Sequence, residues 1–228
     1  MDSIRTAVGI IGNSIAFLLF LSPVPTFIQI WRGSVEEYSP VPYLATFINC
    51  ALWVPYGCPF VHPKSLLVIT INGAGFAIEA VYIALFITFC QTRQRKMKLA
   101  AIVAAELVSV AALAVLVLNL AHTTKLRSAI VGPICMVRNI IMYGAPLSVM
   151  GGVIRTRSVE YMPLFLSLAS FANGVCWTAY ALFKFDLDIF VPNLIGAALG
   201  LIQLVLYAMY YNATQRILAE RRVQQQNI

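Results

Sequence analysis

The chain has 228 residues, of which 60% are hydrophobic and 11% charged, and its formal net charge is +7. Water-soluble domains have about 25% charged residues, so the composition excludes a soluble enzyme and leaves no room for a separate soluble domain. We attribute the positive charge to loops that set membrane topology rather than to nucleic-acid binding. The five cysteines lack the spacing of metal ligands, and neither a disulfide framework, a metal site nor a cofactor is expected.

Seven apolar segments are candidate transmembrane helices, each near the roughly 20 residues that a bilayer requires. In chain order they cover residues 7–30, 41–56, 66–89, 99–120, 129–154, 163–183 and 189–211. The first segment is too long for the apolar core of a cleaved signal peptide and is predicted to be retained. The runs are continuous rather than alternating, which predicts α-helices and not a β-barrel.

The distribution of lysine and arginine predicts the direction of the chain in the membrane. The loops after the first, third and fifth segments and the C-terminal tail carry ten basic residues, whereas the opposite side carries five. Basic residues accumulate in cytosolic loops, so we expect the N-terminus outside and the C-terminus in the cytosol. The plasma membrane is the expected location, with vacuolar and Golgi membranes as alternatives.

Two motifs occur twice in the chain. The two copies of the pattern N-x-x-x-W-x-x-Y begin 124 positions apart. Each copy is followed, in the next apolar segment, by the pattern N-x-x-G. A polar amide in hydrocarbon is unfavourable unless it faces a cavity or a partner. Matching amides in matching places therefore predict one cavity built by two equivalent halves. The repeated residues are Asn49, Trp53, Tyr56 and Asn72 in the first half and Asn173, Trp177, Tyr180 and Asn193 in the second.

The repeat predicts an all-α membrane protein with a 3+1+3 architecture. The first three segments match the last three, and because three is odd, two such units in direct succession would point in opposite directions. The fourth segment restores the orientation and acts as an inversion linker between two parallel three-helix bundles. The expected division is residues 1–92 for the first bundle, 93–125 for the linker, 126–212 for the second bundle and 213–228 for a cytosolic tail.

Four prolines occupy corresponding positions of the two halves, on the side predicted to be cytosolic. Pro23 matches Pro146 inside a segment, and Pro42 matches Pro163 at the start of one. Proline bends or ends a helix because it lacks an N–H and clashes with the preceding turn. We interpret the four as hinges of an inner gate. The alternative for Pro42 and Pro163 is that they only start helices.

The repeated side chains suit a neutral, polyhydroxylated solute. Asparagine both donates and accepts hydrogen bonds, and an indole offers a flat apolar face with one N–H. Interhelical packing by the amides and interfacial anchoring by the aromatic residues are the alternatives. In equivalent outer loops, Lys64 and Asp186 follow the tyrosines and are candidates for an outer latch or for a solvated, unpaired state.

Three charged residues lie inside predicted segments and have no counterpart in the other half. Glu79 follows Asn72 by seven residues, on the same helical face, and is a candidate for proton transfer or a cytosolic gate, with structural pairing or snorkelling as the alternative. Glu106 lies in the linker segment and Arg138 in the fifth. Charges inside a membrane are functional candidates by default, but the absence of a repeat argues against a central role for any of them.

The chain resembles the plant SWEET sugar carriers over nearly its whole length, from Gly9 to Tyr211. The resemblance implies two three-helix bundles joined by a linker helix, and passive, bidirectional movement of sugars by alternating access. It departs from the family at Pro55 and at Arg138-Asn139, where apolar or small residues are expected. The motifs that carry the resemblance are Gly12-Asn13, Leu21-Ser22-Pro23-Val24-Pro25-Thr26-Phe27, Thr70-Ile71-Asn72-Gly73, Ala145-Pro146-Leu147-Ser148-Val149-Met150, Arg157-Ser158-Val159-Glu160-Tyr161-Met162-Pro163 and Val191-Pro192-Asn193.

The resemblance also implies roles for individual residues. The sugar-binding residues would be Asn72, Asn193, Trp53, Trp177, Asn49, Asn173, Leu19 and Met142; the outer gate would be Tyr56, Tyr180, Lys64 and Asp186; and the hinges would be Pro23, Pro42, Pro146 and Pro163. Two asparagines at the positions four before each tryptophan narrow the pocket, which favours a hexose over sucrose. A homo-oligomer in the lipid bilayer is expected from the resemblance alone.

Two other functions are alternatives to a passive sugar carrier. A proton-coupled carrier of the related PQ-loop type needs a titratable residue in the path and a Pro-Gln pair, but Pro23 and Pro146 are followed by Val24 and Leu147. Glu79 is the one candidate for that role. The second rival is a seven-helix receptor or photoreceptor. A retinal Schiff base needs a lysine in the last segment, and residues 189–211 contain none; receptors also lack this internal repeat.

Overall fold

A computed structural model of the chain describes residues 2–32, 35 and 38–226. The predicted first unit (1–92) and tail (213–228) each extend over a few positions outside these described residues. The described part is helical and forms α1 (Asp2–Leu21), α2 (Val24–Arg32), α3 (Val41–Gly57), α4 (Leu66–Phe89), α5 (Arg93–Leu120), α6 (Thr124–Met142), α7 (Gly144–Thr156), α8 (Leu164–Phe183) and α9 (Leu187–Gln226).

These helices form the seven predicted transmembrane elements, because α1 with α2 and α6 with α7 are each one broken helix. Six elements in the described part are long and apolar enough to cross a membrane. The remaining one, α3, has 17 residues, at the short end of the range of about 17–25 that span a bilayer. The all-helical, seven-element fold predicted from the sequence is confirmed.

The two breaks have local causes that differ between the halves. Between α1 and α2 the Ser22 hydroxyl and the Ser22 N–H both donate to the carbonyl of Leu19, at 2.7 and 3.1 Å, and Pro23 follows. Between α6 and α7, Tyr143 ends one helix and begins the next, and Pro146 lies inside the first turn of α7. Each proline lacks the N–H that a continuous helix would use to bond the carbonyl four residues earlier, and this favours a break at that point.

Each half has the same packing order. The third helix of each bundle lies between the other two, so that α4 contacts α1 and α3, and α9 contacts α6 and α8. The halves meet at two equivalent interfaces, α1 with α8 and α3 with α6. The linker α5 packs on α3, α4 and α6, and of its residues only Leu99 and Val117 are buried. Its apolar outer surface therefore faces lipid.

Small residues allow α1 to approach α8 closely. A Cβ added at Gly9 would overlap Leu67 and the Tyr180 ring, and one added at Gly12 would lie 3.2 Å from the Trp177 indole nitrogen. Small residues at helix contacts are the usual way that membrane helices come close together. The contact brings the aromatic residues of the second half against the first helix of the first half.

Several helix ends differ from the predicted segments. The linker begins at Arg93 rather than residue 99, because its charged first turns continue the helix beyond the apolar run. The last helix continues to Gln226 rather than ending at residue 211, so the predicted tail is helical where it is described. The start of this tail is held by Thr214. The Thr214 hydroxyl accepts a hydrogen bond from the Val159 N–H at 2.8 Å and donates one to the Tyr210 carbonyl.

Candidate solute pocket between the two bundles

A cavity of about 120 Å³ lies between the two bundles. Both halves contribute to its wall, and no charged side chain of the described residues lines it. Six of the eight predicted sugar-binding residues are brought together there, and the remaining wall is apolar apart from one further amide. The lining residues are Ala16, Phe20, Asn49, Trp53, Val68, Ile71, Asn72, Asn139, Asn173, Trp177, Ile189 and Asn193.

The two amides of the third helices are held in the same way. The Asn72 side chain donates to the Val68 carbonyl at 2.9 Å, and the Asn193 side chain donates to the Ile189 carbonyl at 2.7 Å. Each bond joins a residue to the carbonyl four positions earlier, which fixes the amide without a partner from another helix. The side-chain oxygens of Asn72 and Asn193 accept no hydrogen bond from the described residues, which leaves them as acceptors at the cavity wall.

Asn139 is a fifth amide in the pocket, and the sequence did not predict it. Its Oδ1 lies 3.4 Å from the Asn49 nitrogen, so α3 and α6 share a polar contact across the interface between the halves. The equivalent wall position in the first half is Ala16, which explains why the repeat gave no signal. An in-span amide one turn before the break of α6 was the available clue.

Two amide oxygens at the wall are buried and unpartnered. Asn49 Oδ1 and Asn173 Oδ1 have no hydrogen-bond partner in the described part of the chain. An unsatisfied buried acceptor is unfavourable by about 1–3 kcal/mol. The pocket is therefore prepared to receive hydrogen-bond donors.

The tryptophans and tyrosines repeat in geometry as well as in sequence. Trp53 and Tyr56 have ring centroids 5.2 Å apart at an interplanar angle of 83°, and Trp177 and Tyr180 are 5.1 Å apart at 67°. All four side chains are buried. Each edge-to-face pair places the indole at the cavity and the phenol one turn beyond it.

The glycine of each N-x-x-G motif receives an aromatic ring. A Cβ at Gly75 would overlap the Phe20 ring, and a Cβ at Gly196 would overlap the Tyr143 side chain. Tyr143 also donates a short hydrogen bond to the Pro192 carbonyl. Since Phe20 and Tyr143 each lie three residues before a repeated proline, the motif joins each helix break to the third helix of its own bundle.

A second cavity of about 320 Å³ continues from the pocket toward the prolines. Asn139, Asn173 and Asn193 line both cavities. The other two predicted sugar-binding residues, Leu19 and Met142, lie here with Pro146 and not at the first cavity. The space between the bundles thus extends toward one end of the molecule, which we call the proline end.

At the opposite end, which we call the closed end, the two bundles are joined by Tyr56 and Asp186. The Tyr56 hydroxyl donates to the Asp186 carboxylate, with both oxygens at 3.0 Å, and lies 3.4 Å from Asp188 Oδ2. Asp186 Oδ1 also accepts the N–H groups of Asp188 and Ile189 at 3.1 and 3.3 Å and so caps the start of α9. One carboxylate therefore ties α3 of the first bundle to α9 of the second.

The Lys64 side chain does not pair with Asp186, so of the two alternatives for Lys64 the structure has the solvated, unpaired one. Lys64 is exposed, has a φ of 67°, and contributes only its carbonyl, which accepts a hydrogen bond from Arg5 Nη1 at 3.2 Å. His62 takes the place beside the carboxylate, with Nε2 at 3.6 Å from Asp186 Oδ2. Pro63 separates the two residues, and the left-handed backbone at Lys64 directs its side chain to solvent.

His62 is held on three sides. Its ring stacks on Tyr56 with centroids 4.9 Å apart, and its Nδ1 lies 2.8 Å from the Ser65 hydroxyl. Burial lowers the pKa of His62 below its usual 6.5, and the positive charges of Lys184 and Arg5 act in the same direction, while Asp186 opposes them. Burial thus favours the neutral imidazole in the closed arrangement.

Arg5 completes the closed end from α1. Its guanidinium lies 4.0 Å from the centre of the Tyr180 ring, and its Nε donates to the Tyr180 carbonyl at 3.4 Å. A cation over an aromatic face is attracted to the ring quadrupole. The four predicted gate residues thus divide into three that lie at the closure, Tyr56, Tyr180 and Asp186, and one that does not, Lys64.

The four repeated prolines lie away from the closure. Pro23 is half-buried at the α1–α2 break and Pro146 is half-buried in α7. Pro42 is the second residue of α3 and Pro163 is the N-cap of α8, so these two begin helices, as the alternative interpretation stated. All four are exposed or half-buried, unlike Tyr56, Tyr180 and Asp186, which are buried.

Glu79 does not line the central pocket. It is buried in α4, and its Oε2 has no hydrogen-bond partner among the described residues. Its electrostatic neighbours are Tyr43, Cys50 and Tyr82, all within the first bundle. Glu79 is therefore absent from the wall of the central cavity.

Two parallel repeats that enclose an uncharged mid-membrane chamber are the architecture of a membrane transporter. Comparison with known proteins identifies which kind. A family described as "Sugar efflux transporter for intercellular exchange" matches the chain twice, at residues 6–94 and 129–215. The chain belongs to this family, the SWEET transporters, and is not an enzyme.

Named relatives and a solved structure are similar over nearly the whole chain. The bidirectional sugar transporter SWEET4 of Oryza sativa subsp. indica is 60% identical over 222 residues, which are 97% of this chain and 85% of that protein. The bidirectional sugar transporter SWEET7 of Arabidopsis thaliana is 54% identical over 98% of this chain and 87% of that one. The 3.7 Å structure of a eukaryotic SWEET transporter is 38% identical, with a TM-score of 0.90 over 92% of this chain and 98% of that chain.

Proposed function

We propose that this protein carries sugars across a membrane in both directions, down their gradient, with a hexose such as glucose as the main substrate. The observation that supports the proposal most directly is the cavity of about 120 Å³, walled by five amides and two indoles and by no charged side chain among the described residues. Amides match hydroxyl groups that both donate and accept, and indole faces match the C–H faces of a sugar ring.

The names of the relatives support the direction of transport. Those proteins are called bidirectional sugar transporters, and a passive carrier must release its load on either side. Its affinity should therefore be weak, and a millimolar dissociation constant corresponds to only about −4 kcal/mol. A few hydrogen bonds and one stacked ring suffice for that affinity.

The proposed preference for a hexose rests on the space that the side chains of the pocket wall leave for a sugar. Asn49, Asn173 and Asn139 bring three amides to the cavity, and Asn49 contacts Asn139 across it. Smaller residues at these positions would leave room for a second sugar ring. We therefore propose a hexose, with sucrose as the alternative.

The cycle that we propose alternates between two ends. The closed end opens when Tyr56 leaves Asp186, and the proline end closes when the helix breaks at Pro23 and Pro146 bend. Pro42 and Pro163 would act as fixed helix starts around which those breaks move. The closed end faces outside and the proline end faces the cytosol if the basic loops follow the positive-inside rule. The plasma membrane is the proposed location, and assembly into homo-oligomers stays a prediction from family resemblance.

Flux measurements on purified protein in liposomes test the proposal. Labelled glucose should move into and out of the liposomes until the two concentrations are equal. During uptake, its concentration inside should never exceed the concentration outside. A protonophore should leave the rate unchanged. Accumulation that collapses when the protonophore is added would instead support the proton-coupled alternative, with Glu79 as its candidate residue.

A further inference from the structure

Two charged residues near the middle of the membrane take no part in the sugar pocket. Glu106 lies near the centre of the 28-residue helix α5, and Arg138 lies near the centre of the broken helix that runs from Thr124 to Thr156. A charged side chain at mid-bilayer is unfavourable by about 2.5–3.5 kcal/mol even on insertion scales. Both residues therefore require compensation that the transport pathway does not supply.

Glu106 and Arg138 face each other across one cavity. The cavity, of about 350 Å³, lies between α3, α5 and α6, and its wall is otherwise formed by Ile48, Leu52, Ser109, Leu113 and Ile134. Arg138 is also the charged group whose field acts on Glu106. Since α5 is the linker and α6 belongs to the second bundle, the two charges sit at a junction between separate parts of the fold.

Neither charge is satisfied by protein atoms. Glu106 Oε2 and Arg138 Nε are buried and have no hydrogen-bond partner among the described residues, and the two side chains do not form a direct ion pair within 4.0 Å. A buried water needs two to four polar partners and a cavity large enough to hold it. The carboxylate, the guanidinium and the Ser109 hydroxyl provide those partners around a cavity of sufficient size.

We propose that Glu106 and Arg138 form a water-bridged ion pair that fastens the linker α5 to α6. The site takes water rather than a metal or an organic ligand, because one acid, one base and one hydroxyl leave no charge to neutralise. When α6 moves, Glu106 and Arg138 stay in contact, either directly or through water, so that the linker α5 and the helix α6 move together.

The pair also supports the sugar pocket from behind. Arg138 and Asn139 are consecutive residues of one helix, so their side chains point in directions about 100° apart. Arg138 faces the linker, and Asn139 faces the pocket, where it contacts Asn49. A change at Glu106 should therefore reach the pocket through the orientation of α6.

A double-mutant cycle tests the pair. E106L and R138L each leave one uncompensated charge in the membrane, and each should lower the midpoint of thermal unfolding of the purified protein by roughly 10 °C. The double variant E106L/R138L removes both charges and should recover most of that loss, because a pair replaced by apolar residues is often tolerated. The exchange variant E106R/R138E should recover part of it.

The exposed ion pair of Glu160 and Arg221 is the matched control. Its atoms are 2.9 Å apart, and 55% of the Arg221 side chain is exposed. E160L, R221L and their double variant should each change the midpoint by less than about 2 °C. The difference between the midpoint changes at the two pairs thus shows how much of the effect of E106L and R138L comes from burial in the membrane.

Simple addition of the two single effects in E106L/R138L would overturn the proposal, as would a wild-type midpoint for either single variant. If neither single variant can be purified, recovery of folded protein in the double or exchange variant supports the pair, and failure of both contradicts it. Because unfolding is measured without sugar, this outcome is independent of the proposed transport function. Only the link between the ion pair and the sugar pocket rests on that function.

Discussion

The Tyr56 hydroxyl lies 3.0 Å from both carboxylate oxygens of Asp186, and this contact joins the two bundles at the closed end. The same carboxylate caps α9 through the N–H groups of Asp188 and Ile189. Opening of this end therefore has to break the bond to Tyr56 while it can keep the cap. One carboxylate thus serves both the contact between the bundles and the start of the last helix.

Removal of the Tyr56 hydroxyl should weaken the closure. A hydrogen bond to a charged group contributes about 1.5–3 kcal/mol, so Y56F should raise the population of molecules open at this end by about tenfold or more. Val68 is buried beneath the closure and lines the pocket. In a variant without native cysteines, V68C should react with an impermeant maleimide correspondingly faster after Y56F. Y207F is the control, and an equal acceleration there would contradict this role for Tyr56.

Two substitutions at Asp186 should separate gating from capping. Asparagine is as good an N-cap as aspartate, whereas alanine is worse by about 1 kcal/mol. D186N should open the closed end and keep the cap, because only the charged bond to Tyr56 is lost. D186A should open that end as well, and its thermal midpoint should lie a few degrees below that of D186N because the cap is also lost. Identical midpoints for the two variants would show that the cap contributes no stability.

The neutral state of His62 should make the closure sensitive to acid. Burial lowers the pKa of His62 in the closed arrangement, and in an open, hydrated arrangement it should return toward about 6.5. Protonation therefore favours the open form, and the closure loses stability as the pH falls below about 6.5 toward the lowered value. With equal pH on both sides, labelling of V68C should accelerate at pH 5.5 relative to pH 7.5.

H62Q is the control for this effect because glutamine keeps a polar side chain that does not titrate near neutral pH. The acceleration between pH 7.5 and 5.5 should disappear in H62Q. An undiminished acceleration in that variant would contradict this role for His62.

A larger pocket should admit larger sugars. The combination N49S/N173S removes two amides from the wall and releases Asn139 from its contact with Asn49. The ratio of sucrose to glucose flux should increase by about tenfold or more, since a size difference of even one methylene group changes the selectivity of a pocket by about 10–200-fold. The ratio is measured with both sugars at equal concentration, and an unchanged ratio would contradict the size argument.

The sequence predicted those features of the site that repeat. Asn72 and Asn193, Trp53 and Trp177, and the tyrosine of each pair could be found because the same residue type occupies matching positions in the two halves. Their common back-bonding and common ring geometry follow from that equivalence. The number of helices followed from apolar length alone.

The features that break the repeat were missed or misassigned. Asn139 stands opposite Ala16 and therefore produced no repeated signal. The choice of Lys64 as partner of Asp186 followed opposite charge, but the partner depends on a loop in which Pro63 and a φ of 67° at Lys64 present His62 instead. Loop conformation and side-chain direction are set by tertiary packing, which residue type does not reveal.

The central claim is that amides from both bundles hold one sugar between them, and glucose counterflow in liposomes tests it most directly. N72A and N193A should each abolish counterflow. Asn119, whose side chain makes the same bond to the carbonyl four residues earlier but lies on the exposed linker, provides the control N119A, which should retain wild-type flux. Wild-type counterflow in N72A and N193A, at equal amounts of folded protein, would contradict the account.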